Sequence, residues 1–185
     1  TGVLGATGRG ALEQCGVLGA VDVVVGTLGK ALGTTGAYVA GSNTLVEWLL
    51  NRARSFIFTT GTPPAMAAAT LEAMRIAHHE SWRRDAVRAR ATRLRQRLRL
   101  EGRDAPGLAD GHIVPVHVGD PVRTMRVVAD LRRRGFLVGG VRPPTVPAGT
   151  SRLRISISAM HPPELIDALA ANLLDALTAS GVASA

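Results

Sequence analysis

The sequence contains few of the residues that mark several classes of protein. A single cysteine, Cys15, among 185 residues excludes an internal disulfide framework. Aromatic residues make up only 3% of the chain, so aliphatic side chains and alanine must fill any core. No segment approaches the roughly 18 consecutive apolar residues of a membrane helix, and the first residues do not resemble a signal peptide. We therefore expect a soluble, cytoplasmic protein without a membrane partner.

Lysine is nearly absent as well. The chain has 22 basic residues, of which Lys30 is the one lysine, and a formal net charge of +8. Arginine cannot act as an amine nucleophile because its guanidinium stays protonated. Lys30 is therefore a candidate for amine chemistry, although chance survival of one lysine explains the composition equally well. The arginine excess leaves a second hypothesis open, a basic module that binds nucleic acid.

Glycine-rich and β-branched segments alternate in the first third of the chain. Residues 1–20 are glycine-rich and predict a loop with tight turns. A helix is predicted over residues 44–54, capped by Ser42 or Asn43. Short strands are predicted over residues 21–25, 36–41 and 56–58, which gives a βαβ-like order.

The rest of the chain predicts one long helix and a compact unit. The long helix covers residues 64–100, and its arginine-rich second half is interpreted mainly as a solvated basic face. A linker over residues 102–111 follows. Further strands are predicted over 113–118, 136–141 and 153–157, and helices over 122–134 and 162–178. This order predicts an α/β fold, with the end of a large domain in residues 1–80 and a small α+β domain in residues 81–185.

Lys30 lies in a glycine-rich turn that follows a predicted strand. Glycines allow the backbone to approach a bound group closely, and an amine that is partly desolvated there can attack a carbonyl. Thr27 offers a hydroxyl to a phosphate. A nucleotide P-loop is disfavoured because Ala31 replaces the Ser or Thr of that motif and Val24 replaces its first glycine.

The chain resembles a known family along nearly its whole length. The segment Val25-Gly26-Thr27-Leu28-Gly29-Lys30-Ala31-Leu32-Gly33 is similar to the cofactor-lysine segment of the α-oxoamine synthases. These are pyridoxal 5′-phosphate enzymes of the aspartate-aminotransferase fold (fold type I), which condense an amino acid with an acyl-CoA and release carbon dioxide. The other similar segments are Thr1-Gly2-Val3-Leu4-Gly5, Gly8-Arg9-Gly10, residues 58–64, residues 142–147 and Arg152-Leu153-Arg154.

The resemblance implies roles for three residues of the first domain. Lys30 forms a Schiff base with the cofactor and later acts as the acid–base group at the substrate α-carbon. Thr27 binds the cofactor phosphate, unless its hydroxyl only stabilises the turn. Thr60, or alternatively Thr59, reaches the phosphate bound by the partner subunit of a homodimer, and an ordinary turn threonine is an almost equal alternative.

Three residues of the second domain are implied to bind substrate. Arg154 matches the arginine that pairs with the substrate carboxylate; alternatively, it forms an ion pair that only stabilises the fold. Arg152 has the same strand parity and is the other candidate. Thr145 lies in the substrate-contacting segment, and Arg142 beside it is suited to an acidic chain or a CoA phosphate; a rigid connecting loop is the alternative for this segment.

Residues 142–150 also indicate the substrates. They most resemble the branch of the family that joins L-alanine to a pimeloyl thioester, carried by CoA or by a carrier protein, in biotin synthesis. Branches that use glycine with an acetyl or succinyl thioester remain open. The five histidines do not form a ligand pattern, so no metal site is expected, and no stacking aromatics accompany the basic helix, so no nucleic-acid partner is expected.

The chain departs from the family in one respect. Family members carry an Asp-x-x-His segment just before the match to Thr1-Gly2-Val3, and its aspartate pairs with the pyridine nitrogen of the cofactor. This motif does not occur in the sequence. We therefore expect the chain to be part of a longer enzyme, and to bind the cofactor weakly and turn over negligibly by itself.

Overall fold

The fold is described by a computed structural model for residues 1–102 and 111–181. These residues belong to two compact units, Thr1–Arg84 and Asp85–Ala185. Most of the predicted linker lies outside the described residues. None of the described helices is long and apolar enough to span a membrane.

The first unit contains one strand pair and several helices. The strands β1 and β2 are antiparallel, with Val23 opposite Gly41 and Thr27 opposite Ala37. The predicted βαβ-like order is wrong, because a short helix replaces the strand expected after the helix. Antiparallel neighbours need only a short connection, and here that connection carries Lys30. The elements are α1 (Ala11–Gln14), a 3-10 turn (Leu18–Ala20), β1 (Val23–Thr27), β2 (Ala37–Gly41), α2 (Asn43–Arg52), α3 (Arg54–Ile57) and α4 (Pro64–His79).

The second helix begins where the sequence indicates. The Ser42 hydroxyl accepts a hydrogen bond from the Leu45 amide at 3.2 Å, so Ser42 is the N-cap. The strand predicted over residues 56–58 is wrong, because the chain there forms α3 and its amides bond to the carbonyls of Ala53 and Arg54. Three apolar residues are too few for periodicity to distinguish a strand from a helical turn.

The single long helix predicted over residues 64–100 is also wrong. The chain forms α4 and then α5 (Trp82–Leu100), because Glu80 leaves the helical region with φ −105° and ψ 63°. The Glu80 carboxylate accepts from Arg83 Nε at 2.8 Å, and the Ser81 carbonyl accepts from the Arg84 amide at 2.9 Å. These bonds stabilise the first turn of α5 and therefore the break between α4 and α5.

The second unit is a three-stranded antiparallel sheet with helices on one face. The sheet order is β3-β5-β4, so the strand that contains Pro115 lies at an edge, where a missing amide is tolerated. The strand predicted over residues 136–141 is shorter than expected and covers only Gly139–Val141. Gly135, with φ 88°, turns the chain first, so the strand begins later. The elements are the main part of α5, β3 (Ile113–Gly119), α6 (Pro121–Arg133), β4 (Gly139–Val141), β5 (Ser151–Ser156) and α7 (Pro163–Ala179).

The core of the second unit lies between the sheet and its helices. Alternate residues of β5 point inward, so Leu153 and Ile155 are buried and Arg154 is exposed. The helical side of the core includes Leu94, Leu98, Leu131, Leu173 and Leu177, each with 0% exposure.

The arginines of α5 do not all lie on a solvated face, which corrects that part of the interpretation. Arg95 is 4% exposed and donates from Nη2 to the carbonyls of Gly111 and Ile113, both at 3.0 Å. Arg84 is 6% exposed and donates from Nη1 to the Ala77 carbonyl. Both guanidinium groups therefore satisfy backbone carbonyls rather than face water.

Candidate active site

Lys30 occupies the turn that joins the two antiparallel strands of the first unit. The turn, residues 28–36, is closed by hydrogen bonds from the Leu28 amide to the Gly36 carbonyl at 2.9 Å and from the Thr34 amide to the Leu28 carbonyl at 3.0 Å. We call residues 28–36 the lysine turn. Lys30 is exposed, and among the described residues its amine has no hydrogen bond or ion pair. The amine is therefore accessible for reaction.

Thr27 ends β1, immediately before the lysine turn. It is exposed, and its hydroxyl makes no hydrogen bond within the described part of the chain. Gly26 precedes it, and a Cβ atom added there would lie 2.3 Å from the Tyr38 ring. Tyr38 thus covers the backbone beside Thr27 and leaves the Thr27 hydroxyl available to a ligand.

The structure distinguishes between the two threonines after α3. The Thr59 hydroxyl donates to the Ser55 carbonyl, one turn earlier. Thr60 is exposed, and its hydroxyl has no hydrogen bond with any described residue. Of these two threonines, only Thr60 therefore has an uncommitted hydroxyl donor within the described residues.

The second unit has an open sheet face that carries the two candidate arginines. Arg152 is half-buried and donates from Nε to the Thr150 carbonyl at 3.0 Å. Arg154 is exposed, and no carboxylate among the described residues pairs with it. Of the two arginines, Arg154 is therefore the one whose guanidinium N–H groups are available to a carboxylate.

His112 lies near Arg154 on this part of the unit. The pKa of His112 is lowered, first by partial burial and second by the positive charge of Arg154. In the sequence His112 is one of five histidines without a ligand pattern, and no spacing signal pairs it with Arg154. The imidazole is thus biased toward its neutral form beside a candidate anion-binding arginine.

Arg142 and Thr145 belong to a tight turn after β4. The Thr145 amide bonds to the Arg142 carbonyl at 3.0 Å, and both residues are exposed. Arg142 Nη1 lies 3.3 Å from Met125 Sδ, at the edge of a groove of about 470 Å³ that Val122 and Met125 also line. A groove lined by apolar side chains and by two arginines, Arg126 and Arg142, suits a chain with an acidic end.

The predicted site residues therefore fall into two sets. Lys30, Thr27 and Thr60 belong to the first unit, and Arg142, Thr145 and Arg154 belong to the second. In the described residues no group of three or more His, Cys, Asp or Glu side chains could hold a metal ion.

The chain matches a known family model over most of its length. The family model described as aminotransferase class I and II matches residues 2–173, and the chain belongs to that family. The chain is 49% identical over 180 residues to the 8-amino-7-oxononanoate synthase of Methylococcus capsulatus, and 46% identical over 173 residues to that of Alkalilimnicola ehrlichii. These alignments cover 95% and 93% of the chain but only 46% and 44% of the two relatives. The chain thus spans about half the length of the curated relatives it matches.

Solved structures confirm the fold. Sphingomonas wittichii serine palmitoyltransferase superposes with a TM-score of 0.91 and 32% identity, over 98% of this chain and 46% of that one. The 8-amino-7-oxononanoate synthase of Francisella tularensis superposes with a TM-score of 0.86 and 22% identity, over 98% of this chain and 53% of that one. The predicted α/β fold of the aminotransferase type is therefore confirmed.

Proposed function

We propose that the protein containing this chain is a pyridoxal-phosphate-dependent acyltransferase that condenses L-alanine with a pimeloyl thioester, releasing carbon dioxide and forming 8-amino-7-oxononanoate. The observation that carries the proposal is the free amine of Lys30 in the turn after β1. Identity of 46–49% to synthases of that name supports the choice of substrates over the serine and palmitoyl groups that the 32% identical neighbour is named for.

The residues of the lysine turn are compatible with the cofactor. Lys30 supplies an amine and Thr27 a hydroxyl donor for the phosphate, and both are uncommitted in the described chain. Gly29 keeps the turn narrow, because a Cβ atom there would lie 3.3 Å from the Thr34 carbonyl oxygen. A free donor set beside a glycine-lined backbone is what a phosphorylated aldehyde requires.

Each proposed role follows from the chemistry of the side chain. The Lys30 amine, once deprotonated, would hold the cofactor through its aldehyde group with loss of water, and, when a substrate amine replaced it there, would be free to move a proton at the substrate α-carbon. When bound, the cofactor accepts the electron pair released at that carbon. Arg154 holds the amino-acid carboxylate with two parallel N–H donors.

The remaining roles concern the acyl group and the second subunit. Thr145 contacts the substrate, and Arg142 attracts the acidic end of the acyl chain or a phosphate of its carrier. Thr60 donates to the phosphate held by the other subunit of a homodimer. In this proposal residues 1–80 belong to the large cofactor-binding domain and residues 81–185 form the small domain. A thioester substrate made inside the cell agrees with a cytoplasmic enzyme.

The test uses the full-length protein. Lys30→Ala should abolish the visible absorption band that a lysine–cofactor Schiff base gives, while Lys30→Arg should retain the charge but not the band. Survival of the band in Lys30→Ala would refute the proposal. The substrates are tested by pairing alanine, glycine or serine with pimeloyl, acetyl, succinyl or palmitoyl thioesters. We expect alanine with a pimeloyl thioester to give the highest kcat/KM, and a higher value for another pair would reassign the reaction.

A further inference from the structure

The carboxylate of Glu13 organises the start of the chain. It accepts hydrogen bonds from the Thr7 amide at 2.9 Å, the Thr7 hydroxyl at 2.8 Å and the Arg9 amide at 3.0 Å. These donors lower the pKa of Glu13, the Thr7 amide most strongly, so the carboxylate is charged at neutral pH. The glycine loop, residues 1–10, is thereby tied to α1.

The glycine loop has little intrinsic order without such an anchor. Gly2, Gly5 and Gly8 have φ angles of 86°, 83° and 86°, a region that other residues rarely adopt. Glycine loses the most conformational freedom on ordering. Hydrogen bonds from the Gly2 amide to the Gly8 carbonyl at 2.7 Å and from the Gly10 amide to the Leu4 carbonyl at 2.9 Å close the loop. Glu13 contributes the charged acceptor that fixes it.

The same loop packs on the lysine turn. A Cβ atom added to Gly2 would lie 2.9 Å from the Cβ of Ala31, the residue after Lys30, so the Gly2 backbone packs closely against the Ala31 methyl group. The Thr1 hydroxyl also lies 3.0 Å from the Tyr38 hydroxyl. The Tyr38 ring covers Gly26, which precedes Thr27. The loop therefore contacts Ala31, directly after Lys30, and Tyr38, whose ring lies against the residue before Thr27.

We propose that Glu13 is a positioning residue that, through the glycine loop, holds Lys30 and Thr27 in register for the cofactor. The inference rests on the proposed function, because it assigns Glu13 a role toward the Lys30 Schiff base. Glu13 makes its hydrogen bonds within the glycine loop, and its influence passes through the contact between Gly2 and Ala31 and through Tyr38.

The first experiment replaces the charge and keeps the shape. In the full-length protein, Glu13→Gln should weaken cofactor binding by about tenfold, the equivalent of one charge-assisted hydrogen bond, and should displace the pH midpoint of the Schiff-base absorption band. Glu13→Asp should restore part of both. The matched control is Glu72→Gln, because Glu72 also has a lowered pKa, caused first by its hydrogen bond to Arg75, but is exposed on α4.

The second experiment tests the path. Gly2→Ala and Gly16→Ala both place a side chain at a positive φ, 86° and 68°, but only the first meets a neighbour, since nothing lies within 4 Å of a Cβ at Gly16. Backbone strain is therefore matched, and only Gly2→Ala should displace the midpoint. Thr7→Val should give a smaller effect than Glu13→Gln and combine with it less than additively, which keeps the inference testable if Glu13→Gln fails to fold.

The outcomes separate this inference from the proposed function. A band lost in Lys30→Ala, with an unchanged midpoint and cofactor affinity in the Glu13 and Thr7 variants, overturns the role of Glu13 and leaves that of Lys30. A lower unfolding temperature of the apoprotein without a change in midpoint or affinity overturns it equally, because it shows a structural role alone. A band that survives Lys30→Ala overturns the proposed function and this inference together.

Discussion

The two units of the chain bury different kinds of residue. In Asp85–Ala185 a continuous set of leucine, isoleucine and valine side chains is buried between a sheet and its helices. In residues 1–84 the buried residues are Gly8, Gly10, Gly26 and Arg84, and no large apolar side chain is buried. Trp48, at 61% exposure, and Phe58, at 74%, lie at the surface instead.

The difference indicates how each unit is stabilised. The second unit has an apolar core of its own, which stabilises it independently. The first unit exposes more large apolar side chains than scattered surface residues explain. Because the curated relatives are about twice as long as this chain, we expect this surface to be covered in the longer protein.

The largest expected effect comes from opening the core of the second unit. Leu173→Ala should reduce the free energy of unfolding by about 2–5 kcal/mol, because Leu173 is 0% exposed and its removal leaves a cavity. Leu71→Ala in the first unit should change it by no more than about 0.5 kcal/mol, because Leu71 is 70% exposed. Urea denaturation of the 185-residue chain measures both. Equal losses would remove the contrast between the units.

A buried arginine should have the next largest effect. Arg95→Met leaves the carbonyls of Gly111 and Ile113 without that donor, which should cost about 1–3 kcal/mol. Arg97→Met is the control on the same helix, since Arg97 is exposed and its ion pair with Asp167, at 3.7 Å, is worth at most about 1 kcal/mol. If Arg97→Met lowered the free energy of unfolding as much as Arg95→Met, the buried hydrogen bonds of Arg95 would not be the cause.

Exposed apolar surface should be detectable directly. The 185-residue chain should bind a dye specific for apolar surface, and Trp48→Ser with Phe58→Ser should reduce its fluorescence several-fold. Leu137→Ser should reduce it less, although Leu137 is 89% exposed, because the described part of the second unit exposes fewer large apolar side chains than the first. The full-length protein should bind the dye weakly. Strong binding by the full-length protein would mean that this surface stays open.

The smallest expected effect concerns acidification. Because the pKa of His112 is lowered in the folded chain, the unfolded chain binds a proton at this imidazole more readily. The free energy of unfolding should therefore decrease as the pH falls below about 6.5, the ordinary pKa of histidine. Arg154→Gln should raise the pKa of His112, because the positive charge that is its second cause is removed. NMR titration of the imidazole measures this, and Arg133→Gln, on α6, is the control. An unchanged pKa in Arg154→Gln would contradict the proximity of the two groups.

Local sequence signals predicted part of the fold. Ser42 precedes an apolar periodic segment and does cap α2, and the alternation around Leu153 did indicate β5. The three apolar residues 56–58 misled because so short a segment has no periodicity. The break at Glu80 depends on side-chain bonds to Arg83 that composition does not reveal.

The candidate site was predictable to a different extent. Lys30 and its turn were found from a short motif and from the scarcity of lysine, since the other 21 of the 22 Lys and Arg residues are arginine. Which threonine and which arginine are uncommitted depends on hydrogen bonds to backbone carbonyls, as for Thr59 and Arg152. Glu13 was missed because two of its three hydrogen-bond donors are backbone amides, which no residue type at a fixed spacing indicates.

The free amine of Lys30 has a practical consequence. Because the described chain offers no other lysine side chain and this one is exposed and unpaired, an amine-selective reagent has a single side-chain target in residues 1–185. Acylation there would remove both the charge and the nucleophile. The extent of labelling at Lys30 therefore reports whether the amine is free. Protection of Lys30 from the reagent would show that an aldehyde occupies the lysine turn, and no measurement of turnover is needed.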